Sequence, residues 1–214
     1  AWSVPEVHIY LDTSPASKLD EVEYVRDLYF PEAFIFHAGQ HEEAPQGCWN
    51  ILNAIKSGYE TGAEYVFLVE EDVMVYSDFF RWHWKTQEDY TALATCGRRW
   101  KYYKTDFYTN PGSCLSRRFL CNLAPHISGD FFADRRGYMN KTFGEMDDAS
   151  DLDDGLIRRV LRQLGGYVLY PDLPVCAHQG FWAYQKFVQY KTNGTIAERI
   201  EQLEKILPDI DPEG

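Results

Sequence analysis

Apolar positions along this chain follow two periods. Short runs of β-branched and aromatic residues mark strands, and stretches with apolar residues three and four apart mark helices. Val7 to Leu11 is a strand candidate ending in the polar turn Asp12-Thr13-Ser14-Pro15. Leu19, Val22, Val25 and Leu28 are spaced for a helix from Lys18 to Tyr29, which Pro31 stops. Ala33 to His37 is a second strand, so the opening is a βαβ unit. After an acidic loop, Trp49, Leu52, Ile55 and Tyr59 share one face of another helix.

Tyr65 to Val69 is apolar without alternation, the pattern of a strand buried on both faces in the middle of a sheet. It runs straight into Glu70, Glu71 and Asp72, and then into the apolar Val73 to Tyr76. Ser77-Asp78 offers an N-cap for a helix towards Tyr90. Thr91 to Cys96 is a short strand, Gly97 to Tyr108 a basic and aromatic loop, and Asn110-Pro111-Gly112 a turn. A strand at Ser113 to Ser116 and a helix at Arg117 to Leu123 follow.

Pro125 to Ala149 has little periodicity and reads as a long irregular segment. Leu156, Ile157, Val160, Leu161 and Leu164 then mark a helix that Gly165-Gly166 ends. Asp151, Asp153 and Asp154 at its start suit the helix dipole, and Asp151 or Asp153 would serve as its N-cap. Tyr167 to Tyr170 is a strand, and Val175 to Ala177 an extended piece leading into His178. Thr195 and Glu198 form a capping box for a last helix carrying Ile196, Ile200, Leu203 and Ile206. The expected organisation is one α/β domain over residues 1–182 with a C-terminal helical tail, 183–214, packed on it.

Composition narrows the class. With 45% apolar and 16% aromatic residues the 214-residue chain is globular. Its net charge of −12 disfavours bulk attraction to nucleic acid or an anionic membrane. Local basic clusters at Arg98 to Lys101, Arg117-Arg118 and Arg135-Arg136 would suit a phosphorylated small molecule or simply solvated surface. No apolar run is long enough to span a membrane. The five cysteines are scattered without a CxxC pair, which reads as core thiols in a reducing, cytoplasmic compartment. Two N-x-T sequons, at Asn140 and Asn193, matter only in a secreted chain.

Three carboxylates at the end of an apolar strand repel one another beside a dry core. A divalent cation resolves that conflict, because hard cations take carboxylate oxygens. Residues two apart in a strand share a side, so Glu70 and Asp72 would face one ligand while Glu71 points away. The plain alternative is an acidic loop. The end of a strand in an open α/β sheet is also where ligands bind.

The order of features resembles the GT-A class of nucleotide-sugar glycosyltransferases. The carriers are the acid-x-acid end of a strand (Glu70-Glu71-Asp72), the strand with small residues at Pro111 to Arg118, and residues 151–180, DLDDGLIRRVLRQLGGYVLYPDLPVCAHQG. The resemblance covers residues 7–182. It implies a GT-A-like, Rossmann-type mixed sheet flanked by helices. It also implies a metal-dependent transfer of sugar from a nucleoside-diphosphate donor, UDP-linked by preference, to an acceptor hydroxyl.

In that pattern Asp72, Glu70 and His178 hold the metal, Mn²⁺ (or Mg²⁺), and Asp153 or Asp154 is the general base. Leu11, Asp12 and Thr13 meet the nucleotide, Asn53 and Lys56 line the cleft with Glu70 and Glu71, and Ser113 approaches the sugar. The family motif carries aspartate where this chain has Glu70. Trp100, Tyr102, Tyr103 and the Phe131 to Phe143 segment are candidates to stack on an acceptor, whether a sugar, a protein or a modified nucleic-acid base. Two alternatives differ in class. A nucleotidyltransferase would need a Gly-rich basic loop where Asp12-Thr13-Ser14-Pro15 stands, and a non-catalytic sugar- or nucleotide-binding module would have no use for the clustered acids.

Overall fold

The computed structural model describes residues 6–11, 16–37, 45–70, 73–145 and 150–178, with His178 described by its backbone. The expected tail, 183–214, lies outside the described residues. The fold is mixed α/β. Strand β1 (His8–Leu11), helix α1 (Ala16–Tyr29) and strand β2 (Phe34–His37) form the opening unit, with β1 and β2 parallel. Helix α2 (Gln46–Glu60) follows, and its Cys48, Leu52 and Ile55 are buried at helical spacing.

Five strands make the main sheet. They are β3 (Tyr65–Leu68), β5 (Ala94–Cys96), β6 (Lys104–Thr105), β7 (Ser113–Ser116) and β8 (Val168–Leu169), in the order β3-β7-β5-β8-β6. Strand β7 runs antiparallel to both β3 and β5, while β5 and β8 are parallel. The carboxyl ends of β3, β5 and β8 therefore lie along one edge, where β7 begins. A separate antiparallel ribbon pairs β4 (Val73–Val75) with β9 (Cys176–His178).

Both faces of β5 and β7 are covered. Leu115 and Ala94 join the main core with α2, α4 (Arg117–Leu123) and α7 (Asp153–Gln163). On the other face lies α3 (Phe79–Tyr90), whose buried Gln87 donates to the Cys114 carbonyl at 2.8 Å. His83 Nδ1 and Thr95 Oγ1 are 2.6 Å apart in the same layer. Burial holds His83 neutral, its pKa pushed down to about 3.

Several local expectations hold closely. β7 and α4 have the expected bounds, and the Ser116 hydroxyl caps α4 by accepting from Phe119 N–H at 3.4 Å. Gly165, at φ +59°, follows α7 as a residue free of the Cβ penalty. Four of the five free thiols are buried, at Cys48, Cys96, Cys114 and Cys176. No helix among the described residues is long and apolar enough to cross a membrane.

Other expectations are corrected. Strand β3 is not central: among the described residues it ends the five-stranded sheet, and its side chains are half-buried. An unbroken apolar run reports hydrophobicity without saying which edge it forms. The described strands of this sheet buried along their whole length are β5, β7 and β8.

Of the segment 125–149, the described part, 125–145, is not one irregular stretch. A 3₁₀ turn (Ala124–His126) leads into α5 (Gly129–Ala133) and α6 (Arg135–Phe143). These helices are too short to display a period, and the Ser128 and Asp134 side chains cap them. Asp78 forms no side-chain cap on α3 and instead pairs with Arg81. The N-cap of α7 is Leu152, which makes Asp153 the first helical residue.

The turn before β7 carries the tightest approach. Gly112 has φ +60°, and a Cβ built there would run into Cys176 Sγ of β9. Gly112→Ala should cost about 1–3 kcal/mol in chemical denaturation. The cost should shrink in a Cys176→Ala background, which removes the clashing sulfur. Equal costs in both backgrounds would show that backbone conformation alone sets the penalty.

Candidate functional site

The carboxyl edge of the sheet collects the acids. Leu68, the last residue of β3, is the register partner of Ser113, the first of β7. Two residues on, Glu70 is half-buried with Oε1 shielded from solvent. Its carbonyl accepts from Val73 N–H at 3.0 Å, which turns the chain into β4. Val73 is in turn the register partner of His178, and Val75 that of Cys176. Paired residues of this kind have Cα atoms about 4.5–5.5 Å apart. The backbone flank of the acidic run and the late histidine are thus neighbours. Glu71, Asp72, Asp12 and Thr13 lie outside the described residues.

A second acid sits at the start of α7. Asp153 is only 5% exposed, although an ionised carboxylate prefers water. The Asn110 side-chain amide, from the turn before β7, donates to its Oδ2. The Cys48 thiol, from the first turn of α2, packs against the same carboxylate. Burial raises the Asp153 pKa above its ordinary 3.8, against the lowering effect of the Asn110 donor, and the charge of Asp154 adds to the rise. A carboxyl poised this way is suited to accept a proton nearer neutrality than a solvated aspartate. Asp154, half-buried, follows it on the helix.

Tyr108 feels the charge of both acids. It is fully buried, and its hydroxyl lies 2.7 Å from Ser113 Oγ. Burial pushes its pKa well up, and the negative charges of Asp153 and Glu70 both push further in the same direction. Both acids therefore act on one phenol. Ser113, Glu70 and Asp153 accordingly share one neighbourhood, with His178 joined to it through the β4–β9 ribbon.

The remaining sequence-derived candidates are distributed differently. Leu11 ends β1 opposite His37. Asn53 donates to the Trp49 carbonyl of its own helix at 2.7 Å. Lys56 donates to the Ile127 carbonyl at 3.4 Å and borders a shallow hollow with Tyr59 and Pro125, so its contacts join α2 to the 3₁₀ turn. Phe131 and Phe132 belong to the core, which removes them from any acceptor surface. Trp100 stacks on Phe107 with ring centroids 4.8 Å apart, while Tyr102 and Tyr103 are exposed.

Asn110, Cys48 and Tyr108 were not legible as site residues. The Asn-Pro-Gly turn was the one available signal, and it reported only a change of direction. Among the described residues no cluster of three or more histidine, cysteine or acidic side chains is arranged to hold a metal. The donor types at Glu70, Asp72 and His178, oxygen with one imidazole nitrogen, fit a Mn²⁺-like cation.

The raised Asp153 pKa has a consequence for stability. The folded protein holds this proton more tightly than the unfolded chain, so stability falls as pH rises from the ordinary carboxylate pKa through the raised one. Asp153→Asn removes that step. Denaturant unfolding from about pH 3 to 7 should show the variant gaining on the parent as pH rises. A constant difference would mean that Asp153 titrates normally.

Compared with known families and curated proteins, the chain matches no family model and no curated sequence.

Proposed function

We propose that this protein is a metal-dependent glycosyltransferase with a GT-A-like catalytic domain over residues 1–182 and a helical tail at 183–214. It moves a sugar from a nucleoside-diphosphate donor, UDP-linked by preference, to an acceptor hydroxyl. The observation that carries this reading is the β4–β9 register, in which Val73, next to Asp72, faces His178. The buried Asp153, which Asn110 meets from the turn before β7, supports it through its shared influence with Glu70 on Tyr108.

In the transfer, the bond from the anomeric carbon to the diphosphate oxygen breaks and a bond to the acceptor oxygen forms. Asp153 takes the proton that the acceptor hydroxyl loses, with Asp154 beside it as the second acid of the pair. Asp72, with Glu70 and His178, would hold the cation, whose charge offsets that of the departing diphosphate. The burial of Asp153 keeps the carboxylate from full hydration, which makes it a better base once ionised. Leu11, Asp12 and Thr13 at the end of β1 would meet the nucleotide, and Ser113 the sugar.

The test is release of nucleoside diphosphate from UDP-, GDP- and CDP-linked sugars with Mn²⁺, with and without chelator. Release should depend on the cation and should weaken in Asp72→Asn and His178→Ala. Asp153→Asn should lower kcat by about 10²–10⁴-fold with little change in the donor KM. No release from any donor, together with no cation binding by calorimetry, would remove the proposal.

A further inference from the structure

Three elements converge on the Asp153 carboxylate. Helix α7 supplies the acid as its first residue. The Asn110 amide reaches it from the turn before β7 and donates through Nδ2. The Cys48 thiol, from the first turn of α2, lies close enough to the acid for each group to shift the other's pKa. Burial pushes the Cys48 pKa up to about 12, so the thiol remains a donor across the working range. In a nearly dry site these groups stand where water would otherwise solvate the acid.

Asn110 shows that the arrangement is specific. Its Oδ1 is buried without a hydrogen-bond partner among the described residues, a state that protein interiors avoid. The amide is turned so that its donor end meets Asp153, and its acceptor end is left unsatisfied. Helix capping does not account for the contact, because the N-cap is Leu152. The other charged or titratable groups facing the cluster are Asp154 on α7, Arg135 of α6, which acts on the thiol, and Tyr108 before β7.

We propose that Asn110 and Cys48 are positioning residues that fix, from two separate elements, the orientation in which the Asp153 carboxylate meets a substrate hydroxyl. This rests on the reading of Asp153 as general base. Asn110 donates to the carboxylate, and the neighbouring Cys48 thiol also favours its ionised form, so removing either makes the carboxyl hold its proton more tightly. Proton affinity and the acid limb of activity should therefore move together. A merely structural role for either residue would change stability without moving that limb.

The experiment follows the Asp153 side-chain ¹³C signal by NMR titration, assigned with Asp153→Asn, alongside the pH profile of kcat/KM for nucleoside-diphosphate release. In Asn110→Ala the midpoint should rise by about one pH unit, a tenfold gain in proton affinity, and the acid limb should rise with it. Asn110→Ser, which restores a donor, should recover part of the shift. Cys48→Ala should move both in the same direction by less, and it carries the test if Asn110→Ala does not fold. Midpoints within about 0.2 units of the parent in the folded variants would overturn the inference. A midpoint that moves while the acid limb stays would do the same. A midpoint that moves in a protein with no transferase activity would uphold the anchoring of the carboxylate and reject the transferase reading instead.

Discussion

Strand β7 enters antiparallel between β3 and β5 and is paired along both edges over Ser113–Ser116. All four of its residues are buried, so its backbone polar groups depend on those neighbours for hydrogen bonds. This double pairing aligns the chain elsewhere. Ser113 faces Leu68 on one side and Cys96 on the other, which brings the carboxyl ends of β3 and β5 level. The turn ahead of β7 must then lie at that same edge. Gly97 N–H donates to the Gly112 carbonyl at 2.7 Å, and Val175 N–H to the Gly97 carbonyl at 2.7 Å, which ties the β9 approach to the turn.

Chemistry follows from this alignment because the same turn carries Asn110. The three helices on one face of the sheet pack against each other through apolar side chains, with Leu52, Phe119 and Ile157 all fully buried. Their packing brings the first turn of α7 against the first turn of α2 and shuts water away from Asp153. A carboxylate without water needs donors, and the available ones are an amide and a thiol from elsewhere in the chain. The opposite face carries a different solution. There, Gln87 Nε2 donates to Thr95 Oγ1 at 3.4 Å and to the Cys114 carbonyl at 2.8 Å.

The β4–β9 ribbon relates the second acidic centre to the first. It is short, yet its register is anchored outside itself, since Tyr76 N–H donates to the Val175 carbonyl at 3.0 Å. Phe79, Val175 and Cys176 form a small apolar cluster beneath it, with Phe67 of β3 packed against them. A slip by one residue would turn every side chain of the ribbon to the other side. Anchoring the register therefore also sets which residues flank the acidic run.

Much of the fold was present in local pattern. α2 buries Leu52 and Ile55 with Trp49 and Tyr59 half-buried, α7 buries Leu156, Ile157, Val160 and Leu161 but leaves Leu164 exposed, and β7 needed only four residues bounded by a glycine turn and a capping serine. The acids after β3 stood out because charge seldom follows an unbroken apolar run without a reason. Burial of most cysteines also followed from their isolation from one another. The short helices between residues 124 and 143 escaped notice, since one or two turns show no period and their order comes from caps and core contacts.

The sequence by itself determined the longer helices, several of the strands, and where charge had to be accommodated, because those properties depend on residues within a few positions of one another. Only the tertiary structure decided that β3 ends the five-stranded sheet among the described residues, that Lys56 serves a helix contact, and that Asn110 meets Asp153 across 43 positions of chain. Such pairings depend on how buried surfaces fit and on which donors reach which acceptors. Those facts exist only once distant segments share the same dry interior.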